Sequence, residues 1–294
     1  MKIGYFGDGP WAHNALNLLL RDPQLTVAFV CARFDSTDQV LGSMTNSAQI
    51  DFISHGNINS EEFLSTITRY NCDILVSMSF NQIFKREILS LPPQGIVNCH
   101  AGKLPFYRGR NILNWVLIND ESEFGITVHY VDEGIDTGDI ILQRPYPISD
   151  LDDYSSLLER AYEGCGTLLH QALQDIRQGK AHRTPQSTVH PTGFYCTSRV
   201  QGDEILDWNQ TSREVFNFVR SLCAPGPQAT TFLSGCELKI NRVAMVSEAP
   251  AYKGVPGAVL GVHGNSYLVK TRDTFIRVLE LAGDSRPRVG DRLS

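Results

Sequence analysis

The sequence has no Cys-x-x-Cys pair among its seven cysteines, no net positive charge, and no run approaching the roughly 18 apolar residues of a membrane span. An odd, scattered set of cysteines gives neither a disulfide framework nor zinc-ligand spacing, so the expected setting is a reducing cytoplasm. The start, MKIGYFGDG, passes straight into a strand and glycine turn. Without an apolar core and cleavage site, no targeting segment or membrane association is expected. A net charge of -6 argues against a protein whose main task is coating nucleic acid or an acidic surface. Lys and Arg are also missing from residues 34 to 68, where Asp35, Asp38, Asp51, Glu61 and Glu62 fall.

What is present is a chain of 294 residues, 42% hydrophobic, long enough for two domains of about 150 residues each. KIGYFG, TVAFVCA, DILVSMS and GIVNCH read as short apolar strands. PWAHNALNLLLRD, SEEFLSTITRYN and FKREILSL read as helices between them, with Ser60 capping the second. This alternation implies an α/β fold with a mostly parallel sheet. NILNWVLIND follows as a helix, GITVHYVD and DIILQRPYPI as a strand pair, and YSSLLERAYEGCGTLLHQALQDIRQG as a long helix weakened at Gly164 and Gly166. Residues 182–199, rich in Thr, Ser and Pro, read as a linker that closes a first domain of residues 1–199. Residues 200–294 carry one helix and then five short strands at close spacing, which suggests a small β-barrel.

The turn Gly7-Asp8-Gly9-Pro10-Trp11-Ala12 satisfies GxGxxA between a strand and a helix, the pattern of a dinucleotide cradle. Pro10 removes an amide donor and Asp8 would repel phosphate, while a tight βα turn calls for glycine in any doubly wound fold. A nicotinamide-dependent oxidoreductase therefore stays as an alternative outside the main reading. In GIVNCHAGKLPFYRG, strand alternation sends Asn98 and His100 to one face and Cys99 to the other. An amide and an imidazole then share a strand's carboxyl end, where open α/β sheets bind ligands. His100 alone reads more readily as a satisfied, partly buried histidine than as a catalyst. Asp136 lies 38 residues after Asn98 in a Gly-rich turn and could bring a carboxylate to the pair.

NCHAGKLPFYRGRN followed by FGITVHYVDEGIDTGDII resembles the signature of the formyltransferases that use 10-formyltetrahydrofolate. There, Asn-x-His-x-x-x-x-Pro precedes a GxTxH strand and an Asp-x-Gly-Asp turn. SFNQIFKREIL resembles the folate loop, and residues 203–240 resemble the family's carboxyl-terminal domain. The resemblance implies a Rossmann-like catalytic domain followed by an OB-like barrel, with catalytic Asn98, His100 and Asp136. Folate contacts, largely through backbone, fall on Gln82, Phe84, Val131, Asp132 and Glu133. It requires no metal. Alternatively, the chain is a folate-binding module without turnover.

Within the family the acceptor amine belongs either to initiator tRNA or to a small molecule, typically a nucleotide-linked aminosugar. Recognition of tRNA needs Lys and Arg against phosphates. Residues 34–68 have none, and residues 201–294 hold 11 Lys and Arg against 10 Asp and Glu, a net of +1, leaving -7 on residues 1–200. The expectation is an aminosugar nucleotide as substrate, with methionyl-tRNA as the alternative. Trp11 is a candidate stacking surface for it and Arg110 a candidate phosphate contact. A homodimer is one assembly open to such a chain.

Overall fold

In the computed structural model, which describes all residues from 1 to 294, the chain forms two compact units. The first comprises Met1–Arg110, Phe124–Tyr146 and Glu159–Cys196; the second comprises Asn111–Glu123, Pro147–Leu158 and Thr197–Ser294. In chain order the elements begin β1 (Lys2–Gly7), α1 (Gly9–Arg21), β2 (Thr26–Ala32), α2 (Gln39–Ala48), β3 (Asp51–Ser54), α3 (Glu61–Thr68), β4 (Ile74–Met78), α4 (Arg86–Leu89) and β5 (Ile96–His100). They continue β6 (Arg108–Gly109), α5 (Ile112–Ile118), β7 (Glu123–Tyr130), β8 (Ile140–Pro147), α6 (Tyr154–Arg177), α7 (Gln186–Val189) and β9 (Tyr195–Cys196). The last are α8 (Ser212–Leu222), β10 (Ala229–Leu233), β11 (Cys236–Met245), β12 (Val259–His263), β13 (Ser266–Lys270) and β14 (Phe275–Ala282).

The sheet of the first unit runs β3-β2-β1-β4-β5-β7-β8. Pairings among β1 to β5 are parallel, and β5 meets β7 antiparallel. β1 and β4 lie inside the sheet and are buried almost throughout, which is why both read as unbroken apolar runs. From β1 the chain winds one way to β2 and β3, then returns to β4 and β5 on the other side. That reversal is a switch point, and its crevice opens at the strands' carboxyl ends. Helix α1 starts with Pro10 in its first turn and buries Ala12, Ala15, Leu16 and Leu19, one stripe at helical spacing. The Ser60 hydroxyl accepts from the Phe63 amide at 3.3 Å and caps α3. Phe63 then joins Phe6, Phe29 and Phe84 in an edge-on aromatic core beside the sheet.

Gly164 marks a close approach between α6 and the sheet. A Cβ there would lie 2.5 Å from Ile126 Cδ1 and 2.7 Å from the Tyr146 hydroxyl. What the sequence shows as a weak point in a helix is the condition for seating it. Gly164→Ala is therefore expected to lower stability by about 1–3 kcal/mol, although alanine is the better helix former by about 1 kcal/mol. Urea unfolding reads this directly, and a stabilised variant would contradict the packing account.

In the second unit, α8 opens with a reciprocal cap: Thr211 Oγ1 accepts from the Glu214 amide, and the Glu214 carboxylate accepts from the Thr211 amide at 2.7 Å. The helix buries Val215, Phe216, Val219 and Leu222. Its companion is an antiparallel sheet ordered β10-β11-β14-β13-β12. The last residues of the chain join the two edges of that sheet. Ser294 exchanges backbone hydrogen bonds with Phe232 at the β10 edge, while Asp291 and Leu293 bond Val259 and Gly257 at the β12 edge. The sheet thus curls into a barrel around Trp208, Leu238, Ile240, Val269, Ile276 and Val278. No helix in the chain is long and apolar enough to cross a membrane.

Candidate active site

β5 ends at the carboxyl edge of the sheet, where side-chain alternation sorts its polar residues. Asn98 and His100 lie on one face; Cys99 is buried on the other, its thiol facing the Cys165 carbonyl. Antiparallel pairing sets Asn98 opposite His129 and His100 opposite Thr127. Four polar side chains from two strands therefore share one face. The Asp136 carboxylate enters from the turn between β7 and β8. Its Oδ2 is 3.6 Å from His100 Nδ1 and its Oδ1 is 3.5 Å from His129 Nε2. The three residues singled out as catalytic converge, with His129 between Asn98 and Asp136.

The imidazole of His100 has one nitrogen assigned by its surroundings. Nε2 lies 2.7 Å from the Tyr107 carbonyl, an acceptor only, so Nε2 carries hydrogen and Nδ1 faces Asp136. Gly102 makes room for this bond, since a Cβ at that position would overlap both the His100 ring and the Tyr107 carbonyl. Buried Thr127 holds the Gly102 loop from below. Its hydroxyl donates to the Gly102 carbonyl at 2.6 Å and accepts from Gln143 Nε2 at 2.8 Å. His129, 3% exposed, donates from Nδ1 to the Tyr130 carbonyl at 2.8 Å. Its Nε2 sits between the two other side chains, 3.3 Å from the Asn98 amide nitrogen and 3.5 Å from Asp136 Oδ1.

Asp136 adopts a left-handed backbone conformation, φ 54°, and its Oδ2 also accepts from the Gly109 amide at 2.9 Å. Burial raises the cost of its charge. His100, His129 and the Gly109 amide outweigh that cost and hold the carboxyl well below the usual carboxylate range. A fixed carboxylate thus faces two imidazoles and an amide, a set that can donate to a developing oxyanion and take a proton from an attacking amine.

Of the residues proposed for folate contacts, Val131, Asp132 and Glu133 share the β7–β8 turn with Asp136, while Gln82 and Phe84 come from the segment after β4. Gln82 spans the loop after β3, with Oε1 accepting from the Ile58 amide and Nε2 donating to the His55 carbonyl. The Phe84 ring is in the core, 5.1 Å from Phe6, and Val131 packs on the same cluster. Asp132 is exposed and accepts from the Gly134 amide and Thr137 hydroxyl, while Glu133 is exposed beside it. Trp11 is half-buried and meets Tyr162 edge-on at 4.6 Å, so part of its surface is already covered. Arg110 is exposed, and its backbone amide pairs with the Cys196 carbonyl.

The glycine turn after β1 does not offer a phosphate cradle. The Asp8 amide donates to the Met78 carbonyl, the Gly9 amide donates to Asp38 at 2.8 Å, and Pro10 has none. Asp38 also caps α2 and bonds His13. Asp35 is held by Arg33 rather than free for a ribose. The nicotinamide alternative thus loses its binding site to a carboxylate of the chain itself. Three contributors went unassigned in the sequence analysis. Thr127 and His129 were visible as the GxTxH strand, whereas Gln186, inside the segment read as linker and donating from Nε2 to the Asp136 carbonyl at 2.8 Å, carried no local signal.

Residues 1–173 match the family model "Formyl transferase" and residues 200–290 match "Formyl transferase, C-terminal domain". The methionyl-tRNA formyltransferase of Pelotomaculum thermopropionicum is 35% identical over 238 residues, covering 80% of this chain and 74% of that protein. Among solved structures, WlaRD, a sugar 3N-formyl transferase, aligns with a TM-score of 0.70 at 21% identity over 95% of this chain and 96% of its own. The N-formyltransferase from Helicobacter canadensis, solved with folinic acid and dTDP-3-aminofucose, aligns with a TM-score of 0.71 at 20% identity over 96% and 100%. The matched models span both units, and the chain belongs to the formyl transferase family.

Proposed function

We propose that this enzyme moves the formyl group of 10-formyltetrahydrofolate to the amine of a nucleotide-linked aminosugar, with Asn98, His100 and Asp136 as its catalytic residues. The folate donor is supported by the folates named in the complexes of structurally similar proteins. It supplies an activated formyl carbon. As the amine adds, a C–N bond forms and charge gathers on the formyl oxygen, where Asn98 and protonated His100 donate hydrogen bonds. Asp136, whose carboxylate faces His100 Nδ1 at 3.6 Å, receives the proton leaving the amine nitrogen. The bond from carbon to the folate nitrogen then breaks, and that nitrogen takes a proton relayed through His100. Holding donor and acceptor together removes much of the entropic barrier.

The choice of acceptor rests on charge. α2, β3 and α3 bring no Lys or Arg between residues 34 and 68, and the carboxyl-terminal residues 201–294 have a net charge of +1. Some of the acidic groups are internally matched: Asp38 caps a helix, and Asp51 accepts from the Tyr70 hydroxyl. No cation is left on this segment to grip RNA. Near-full-length likeness to sugar formyltransferases supports the same acceptor. A second reading, methionyl-tRNA as acceptor, is favoured by the names of relatives 30–35% identical. The test is a panel of nucleotide-linked aminosugars incubated with 10-formyltetrahydrofolate, with formylated product read by mass spectrometry. Formylation of at least one sugar is expected; a panel that stays unmodified while methionyl-tRNA is formylated would overturn the proposal.

A further inference from the structure

Gln186 is the first residue of α7, and at 4% exposure its carboxamide is out of reach of solvent. Its Nε2 donates to the Asp136 carbonyl at 2.8 Å and to the Gly138 carbonyl at 2.9 Å. Its Oε1 accepts from Arg108 Nε at 3.1 Å and from a terminal guanidinium nitrogen of Arg108 at 2.6 Å. Both donors and both lone pairs are used. One side chain therefore ties the turn that carries Asp136 to the strand that carries Gly109, the residue whose amide holds the Asp136 carboxylate. β6 is fixed from its other side by β9, where Arg108 pairs with Tyr195 and Gly109 with Cys196.

Asp136 needs such a grip. Its backbone is left-handed, a conformation Asp tolerates better than most L-residues but one these contacts fix in place. Gly109 holds the carboxylate end and Gln186 holds the carbonyl end. We propose that Gln186 is a positioning residue, which fixes the backbone of Asp136 so that its carboxylate faces His100 and His129. It acts through Asp136 and touches neither the formyl group nor the amine. The inference rests on the catalytic reading of Asn98, His100 and Asp136 given above.

A double-mutant cycle separates positioning from a general structural role. Turnover is measured with 10-formyltetrahydrofolate and the preferred of two acceptors, a nucleotide-linked aminosugar and methionyl-tRNA. Gln186→Ala and Gln186→Glu are each expected to lower kcat about 30-fold, with the donor KM changed less than about twofold. Glutamate keeps the acceptor for Arg108 and loses the donors to Asp136 and Gly138, so it carries the test if the alanine variant does not fold. On an Asp136→Asn background, the Gln186 substitution that folds is expected to cost less than about twofold more. Wild-type kcat in Gln186→Glu, or an equal loss in both backgrounds, overturns the proposal. A fully active Asp136→Asn enzyme would instead overturn the catalytic reading on which it rests.

Discussion

Asp136→Asn is expected to lower kcat by on the order of 1,000-fold while the protein folds and binds folate, because the amide keeps the shape of the carboxylate and loses its charge. The charge is what faces His100 and His129 across 3.6 and 3.5 Å. Without it His100 Nδ1 faces no carboxylate and the amine proton has no receiver. The same substitution has a signature in stability. In the folded enzyme the Asp136 carboxyl is held below the usual range: burial opposes its charge, and His100, His129 and the Gly109 amide more than offset that. A depressed folded-state pKa gives stability that is complete above the unfolded value of about 4 and is lost as pH falls below it towards the folded value. Asp136→Asn should flatten that part of the acid dependence of unfolding below about pH 4. Activity within tenfold of wild type would reject the assignment.

His100→Asn should be comparably damaging, again on the order of 1,000-fold in kcat. Asparagine retains a donor but ends short of the point where Nδ1 faces Asp136, and it cannot carry a proton between the two nitrogens of the reaction. Tyr107 loses the donor that Gly102 makes room for. The effect is expected in kcat, with the affinity for 5-formyltetrahydrofolate changed less than about threefold, since the residues proposed to contact folate lie on other segments. Normal turnover in this variant would show that another group stabilises the oxyanion.

How much of this was legible depends on how local each signal is. β1, β2 and β4 declare themselves because a parallel strand covered on both faces is written as a continuous apolar run. The placement of Asn98 and His100 follows from alternation within five residues. α2 and β3 went unread for opposite reasons. The helix buries only Leu41 and Thr45, and its Ser43, Thr45 and Ser47 hydroxyls bond back to carbonyls one turn earlier, giving a sequence poor in helix formers and in apolar spacing. β3 is an edge strand of four residues, mostly exposed, with no inward period to detect.

Gln186 lies 50 residues from Asp136, and nothing in a Thr- and Pro-rich stretch announces that a buried carboxamide will reach back to that turn. Conversely, Gln82 and Phe84 were assigned to folate by motif, whereas their side chains serve the loop after β3 and the aromatic core. Any contribution from that pair to the donor must then come largely from backbone. The glycine turn shows the same limit. GxGxxA describes the chain's path, and only the structure reveals that Asp38 already occupies the Gly9 amide.

The acceptor is the claim most open to a single decisive measurement. Nucleotide-linked aminosugars and methionyl-tRNA should be mixed in one vessel with limiting 10-formyltetrahydrofolate, and both products quantified over a range of salt. With no cation between residues 34 and 68 and a nearly neutral carboxyl-terminal region, a sugar is expected to take the formyl group with a kcat/KM at least about 100-fold higher. Its rate should vary little with salt, because few phosphate contacts are made. Preferential formylation of methionyl-tRNA, weakening steeply as salt rises, would contradict the account.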